Sequence, residues 1–284
     1  MLTTRRKIAL AAALQTGIMA TRRSIGAGPR ARVHRRGIEW DLDLREGIDF
    51  AIWLMGAFEP ATVAACARLV PPGGIVLDIG ANIGAHTLPL ARLVGPRGRV
   101  YAFEPTDWAQ AKLAVNLALN LDLAARVTRT QTMLTDRTDA VPAPLYASWP
   151  LAAASGVHPL HRGRKMAVAG ATATTLDAFL DREGASRVDF IKLDIDGFEI
   201  AALRGARETL RRFHPAMVME LSPHQLAEQG GSIEELVALL AAADYRLTEL
   251  DGSGDLPLDG TKLLALIAHG ASRNAVALPR RRSA

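Results

Sequence analysis

One stretch constrains this chain more than any other: residues 76–87, VLDIGANIGAHT, where a short apolar run meets an acid and then two glycines four residues apart. Ile75, Val76 and Leu77 show no polar alternation, the pattern of a parallel strand covered on both faces. Asp78 falls at the carboxyl end of that strand, the edge at which open α/β sheets bind ligands. Gly80 and Gly84 read as a turn into a helix, with backbone freedom that lets a ligand approach the main chain. Asn82 between them can supply polar contacts.

The spacing is D-x-G-x-x-x-G, not the G-x-G-x-x-G that seats a pyrophosphate on a helix amino end. The missing pattern argues against a nicotinamide-dependent oxidoreductase. A carboxylate here repels a pyrophosphate but suits a ligand with an ammonium and a sulfonium, which S-adenosyl-L-methionine offers. Residues 99–103 (RVYAF) read as the next strand, and Glu104 closes it twenty-six residues after Asp78. A carboxylate at that place can accept both hydroxyls of a ribose. The alternative is a turn whose acids only cap and brace, but two acids at one sheet edge favour a cofactor.

VLDIGANIGAHT, the VYAFEP around Glu104, the TTLDAF at residues 174–179 and the IKLDIDGFE at residues 191–199 occur in that order. Together they resemble the FkbM family of S-adenosylmethionine-dependent methyltransferases over about residues 58–221. The resemblance implies a Rossmann-like class I methyltransferase fold and a hydroxyl-bearing acceptor such as a sugar or small natural product. It also implies that Phe58 and Glu59 lie near the cofactor and that Asp136, after a strand at residues 126–132, approaches the adenine amino group. Asp196 stands where the family pattern has glutamate, which keeps the charge and shortens the reach.

Strands alternating with helices along the body predict an α/β fold with a doubly wound, mostly parallel seven-stranded sheet. The seventh strand is expected at residues 262–268, antiparallel because only the short loop 251–261 precedes it. The methyltransferase domain is placed at residues 38–270, between a basic extension (1–37) and a basic tail (271–284).

Asp194, Asp196 and Glu199 crowd the end of the strand at residues 188–193, and like charges so close raise one another's pKa values. Asp194 is the first candidate for the base that removes the acceptor proton, and could instead hold the methionine ammonium; His224 is a second base candidate. Asp194, Glu199 and Glu220 could form a divalent-metal site, but strand ends and helix starts are ordinary places for acids, and no metal is expected. Residues 138–173 are irregular and read as a substrate cover carrying Tyr146, Trp149, His158 and His161, with no acid at ligand spacing.

Nine of the 34 basic residues fall in residues 1–38 and three more are Arg280, Arg281 and Arg282, leaving 22 against 29 acids in the body. The basicity therefore belongs to the ends, and permits weak contact with anionic surfaces. No aromatic interleaves these arginines as a base-stacking platform requires, so no specific nucleic acid is expected. Arg5, Arg6 and Lys7 precede a thirteen-residue apolar run, resembling an export signal but too short to span a bilayer. Arg22 and Arg23 follow it, and the cofactor is intracellular, so a cytoplasmic protein with a basic helical extension is expected. The single cysteine, Cys66, excludes an internal disulfide and reads as a small core residue.

Overall fold

The computed structural model describes residues 4–142, 144–152, 155–159 and 161–280. Arg281 and Arg282 of the basic tail lie outside the described residues.

The core is an eight-stranded sheet in the order Asp255–Leu256, Tyr245–Glu249, Arg273–Pro279, Ala216–Leu221, Phe190–Leu193, Ile75–Ile79, Arg99–Phe103, Val127–Thr130. The last five of these are mutually parallel. From Ile75–Ile79 the chain first builds outward to Val127–Thr130, then returns to add Phe190–Leu193 on the other side. The crevice of the sheet therefore opens between Ile75–Ile79 and Phe190–Leu193, where strand order reverses and ligands bind.

Side chains alternate across the sheet. Leu77, Ile79, Tyr101, Phe103, Ile191, Leu193, Met217 and Met219 pack into one core. Val76, Val100, Phe190, Val218 and Val276 pack into the other. Burial of both faces explains why these strands read as continuous apolar runs. The period of two also puts Asp78, Lys192, Asp194 and Glu220 on the side of Val76, Phe190 and Val218.

The antiparallel last strand exists, but it is Arg273–Pro279, not residues 262–268. It inserts between Ala216–Leu221 and Tyr245–Glu249, antiparallel to both. Residues Gly260–Ala265 instead form a helix, with the Asp259 side chain accepting from Lys262 N. Its leucines and alanine are strong helix formers, and an aspartate cap starts the turn. The sheet thus gains an eighth strand, the two-residue Asp255–Leu256, and runs past position 270 into the stretch expected as a tail.

The amino-terminal region is also more structured than a solvated extension. Arg30–Arg35 pairs with Ile38–Asp43 as an antiparallel hairpin. Buried Asn116 and Asn120 accept from the backbone of Asp41 and Glu39, fixing that hairpin to the domain. The Thr4–Ser24 helix buries Met19 and Gln15, and Gln15 Nε2 donates to Leu44 O at 3.2 Å. Among the described residues no single helix is long and apolar enough to cross a membrane. Cys66 is buried, and burial together with Asp78 pushes its thiol up to about 12, so it is inert at neutral pH.

Candidate functional site

A cavity of about 710 Å³ opens at the carboxyl edge of the parallel strands. Gly80, Asn82, Glu104, Asp194 and His224 all line it, with Glu59, His86, Lys192, Asp196 and Glu220. Its wall on the side of the Arg99–Phe103 strand is apolar, with Phe103, Pro105, Met133 and Leu134.

Glu104 is buried and ties two loops together. Its Oε1 accepts from Thr106 N at 2.8 Å and Thr106 Oγ1 at 2.6 Å, and its Oε2 accepts from Asn82 N at 3.0 Å. Burial raises its pKa against the lowering effect of these bonds. A carboxylate offers about four acceptor positions, so one is left, on Oε2. In this arrangement Glu104 can take one ribose hydroxyl; a second requires the Thr106 hydroxyl to turn away. Asn82 holds a left-handed backbone (φ 46°) and donates from Nδ2 to Ala147 O at 3.1 Å, joining the glycine turn to the cover segment.

Three residues expected at the cofactor do not line the cavity. Asp78 is fully buried beneath the turn, where its Oδ2 accepts from Thr87 Oγ1 at 2.6 Å. It stands directly opposite Lys192 in the parallel register, a position that makes it a brace for the helix start. Gly84 serves packing: a Cβ there would lie 2.7 Å from Leu88 Cδ1 and 2.8 Å from Leu113 Cδ1. Gly80 does border the cavity, but its missing side chain makes room for the backbone, since a Cβ would lie 1.9 Å from Asp194 O. Asp136 is exposed and sits 4.0 Å from Arg204 Nη1, outside the cavity; Met133 and Leu134 occupy the wall just before it.

The floor of the cavity is acidic around one buried cation. Lys192 Nζ lies 3.1 Å from Asp194 Oδ2 and 3.3 Å from Gly80 O. Burial pulls its pKa down, but Asp194 and Asp78 outweigh it and hold the ammonium above its ordinary value. Burial and Asp194 raise the Glu59 carboxyl, whose Oε2 accepts from Asn274 Nδ2 at 2.8 Å and Thr62 Oγ1 at 3.0 Å. Burial, Asp194 and neighbouring acids push Glu220 and Asp196 well above the usual carboxylate range. His86 is buried, and burial and Lys192 drive its pKa well below normal. Among the described residues neither ring nitrogen of His86 has a hydrogen-bond partner, and Nε2 is 3.8 Å from Glu59 Oε2.

Lys192 and His86 went unassigned in the sequence. A lone lysine inside an apolar parallel strand, two residues before an acid, was the available signal. His86 carried none, because its place after the glycine turn is one where core residues also stand.

Glu199 turns away from the floor: its Oε1 accepts from Ile195 N at 3.0 Å and Gly197 N at 3.4 Å, and it does not line the cavity. The set Asp194, Glu199 and Glu220 is therefore not assembled as a metal site. Among the described residues His158, His161 and Glu228 come within ligand spacing. The two imidazoles, however, stack face to face at 4.0 Å and 12°. Ring nitrogens ligate in the plane of the ring, and nearly parallel planes do not meet at one ion.

The cover segment contains a short antiparallel pair, Leu145–Ser148 with Arg164–Met166. Tyr146, Trp149, His161 and Lys165 line the cavity from it. Glu46 anchors it, accepting from Ser148 Oγ at 2.9 Å and Trp149 N at 3.0 Å. His224 lines the cavity near His161, their ring centroids 6.5 Å apart, and burial lowers its pKa.

Comparison with known proteins adds family to this geometry. A methyltransferase FkbM from Methylobacillus flagellatus KT is 19% identical, with 72% of this chain and 43% of that chain covered and a TM-score of 0.44. An S-adenosylmethionine-dependent O-methyltransferase from Thermotoga maritima is 16% identical, covering 92% and 82% of the two chains, with a TM-score of 0.44. A 49-residue stretch, 17% of this chain, is 47% identical to the AMB antimetabolite synthetase AmbE of Pseudomonas aeruginosa, and spans 2% of that protein's length. The family model of the methyltransferase FkbM domain matches residues 78–247, from the glycine-turn strand into the Tyr245–Glu249 strand. That match covers more than half of the chain, which therefore belongs to the FkbM methyltransferase family.

Proposed function

We propose that this protein binds S-adenosyl-L-methionine in the cavity and methylates a hydroxyl of a sugar or small natural product, acting in the cytoplasm. The observation that carries the reading is that Glu104 and Asp194, from strands on either side of the glycine turn, line one cavity. The residues fit such a cofactor. Glu104 retains one acceptor position for a ribose hydroxyl, Phe103 and Leu134 offer an apolar wall to a flat base, and Asp194 lines the floor where the methionine end would lie. When bound, the cofactor supplies an electrophilic methyl group on a sulfonium.

The chain's own work is alignment and proton removal. Positioning an acceptor over the floor supplies several kcal/mol of the barrier reduction. Asp194 is ion-paired to Lys192 at 3.1 Å, and Lys192 Nζ also lies 3.3 Å from the Gly80 carbonyl, so the pair holds the Asp194 carboxylate in place at the floor. His224, held neutral by burial, presents an imidazole able to take the hydroxyl proton at a ring nitrogen. On this reading His224, an imidazole lining the cavity, takes the proton, and Asp194, already paired with Lys192, orients the donor.

The test is transfer of a labelled methyl group from S-adenosylmethionine to the small molecules of a cell extract. Label in an alkali-stable ether supports hydroxyl methylation. Label that alkali releases points to a carboxylate acceptor, and no transfer to any small molecule contradicts the reading.

A further inference from the structure

We propose that the acceptor is an amphiphile, with a hydroxyl-bearing head over the acidic floor and a linear apolar tail lying between the Thr4–Ser24 and Gly47–Met55 helices. The proposal rests on the methyltransferase reading of the same cavity and narrows its substrate class. Every cavity-lining residue from these two helices is apolar or glycine. Leu10, Leu14, Leu54 and Met55 are 65, 45, 45 and 50% exposed. Single exposed leucines are unremarkable, but these four converge on one cavity rim from segments forty residues apart, the arrangement of a ligand groove.

The groove joins the floor directly. The Gly47–Met55 helix ends at Gly56, in the left-handed conformation (φ 79°), and the chain then presents Phe58 and Glu59 to the cavity. Ala51, one turn back on that helix, also lines the cavity. A fully polar acceptor would leave these walls without a partner, whereas an acyl or prenyl tail would cover them. The volume, about 710 Å³, lies toward the upper part of the ~300–1,000 Å³ that small-molecule sites span, leaving space beside a cofactor.

The probes are n-octyl and methyl β-D-glucoside, which share a hydroxylated head and differ in tail. Binding to the full chain is measured by titration calorimetry below the micelle-forming concentration, with and without S-adenosylhomocysteine. The octyl compound should bind at least tenfold tighter. Ala51→Trp, which fills the groove, and Leu14→Gln, at the exposed rim, should each remove most of that preference while leaving S-adenosylhomocysteine affinity unchanged. Equal affinity for the two glucosides overturns the proposal, as does an octyl preference that survives both substitutions. Wild-type protein that sediments with phosphatidylglycerol vesicles through Leu14, yet shows no octyl preference, assigns the rim to a membrane surface and also overturns it. Failure of S-adenosylhomocysteine to bind, with the octyl preference intact, instead overturns the methyltransferase reading on which the acceptor role depends.

Discussion

Lys192 reaches from the middle of a buried strand to within 3.1 Å of Asp194, while its Cα stands in register with that of Asp78 on the neighbouring strand. One ammonium thus faces two carboxylates at the crevice of the sheet, with Glu59 also within its field. Removing one partner of a buried charge set leaves the others uncompensated and costs about 3–5 kcal/mol. Lys192→Met should therefore lower unfolding stability by roughly that amount, measured by urea denaturation at pH 7. Stability within 1 kcal/mol of wild type would show that the acids are protonated and do not need the cation.

Glu199 gives a pH signature. Burial raises its carboxyl to about 7 in the folded chain, although the Ile195 amide opposes this. The native state then holds a proton that the unfolded chain releases near 4.5, so the contribution is full below about pH 4.5 and is lost as pH rises through about 7. Glu199→Gln keeps an acceptor for the Ile195 amide and removes the titration. The stability difference between wild type and this variant should shift by about 2–3 kcal/mol against wild type between pH 4.5 and pH 8. Parallel pH profiles would contradict the burial of an ionisable group here.

The edge acids were legible because three apolar strands each end in a carboxylate or lead straight into one, and sheet polarity fixes which edge that is. Their orientation was not legible. Asp78 and Asp194 look alike in sequence, yet register pairs Asp78 with Lys192 beneath the turn, and Asp194 alone reaches the cavity. The last strand was misplaced for a similar reason: the run at residues 262–268 is as apolar as a strand, but its leucines and the Asp259 cap favour a helix. Arg273–Pro279 was hidden because an arginine at one end and a proline at the other resemble tail composition.

The amino-terminal segment should prove integral to the domain. Deleting residues 1–36 removes the Arg30–Arg35 strand of the hairpin and the buried Met19 and Ala31. Burial of a methionine-sized side chain contributes about 1.5–3 kcal/mol, so stability should fall by at least about 2 kcal/mol, read by thermal or urea unfolding. An unchanged midpoint would return this segment to the status of a solvated tail.

Two substitutions separate proton removal from donor orientation. If His224 is the base, His224→Asn should reduce turnover about 10²-fold or more with S-adenosylhomocysteine affinity unchanged. Because burial holds its pKa below the ordinary value, wild-type turnover should rise with pH only on the acid side and be flat above neutrality. Asp194→Asn should weaken S-adenosylhomocysteine binding and turnover together. A reversal, with Asp194→Asn losing turnover alone and His224→Asn losing nothing, would make Asp194 the base.

Calorimetric titration of the full chain with S-adenosylhomocysteine, alongside NAD and the Glu104→Ala variant, bears most directly on the cavity. Glu104 leaves one acceptor position on Oε2, and a hydrogen bond to a charged acceptor contributes about 1.5–3 kcal/mol. The expected result is one-to-one binding of S-adenosylhomocysteine, no binding of NAD, and affinity at least tenfold weaker in Glu104→Ala. Absence of S-adenosylhomocysteine binding to folded wild-type protein, or equal affinity in the Glu104→Ala variant, would contradict the assignment of this cavity.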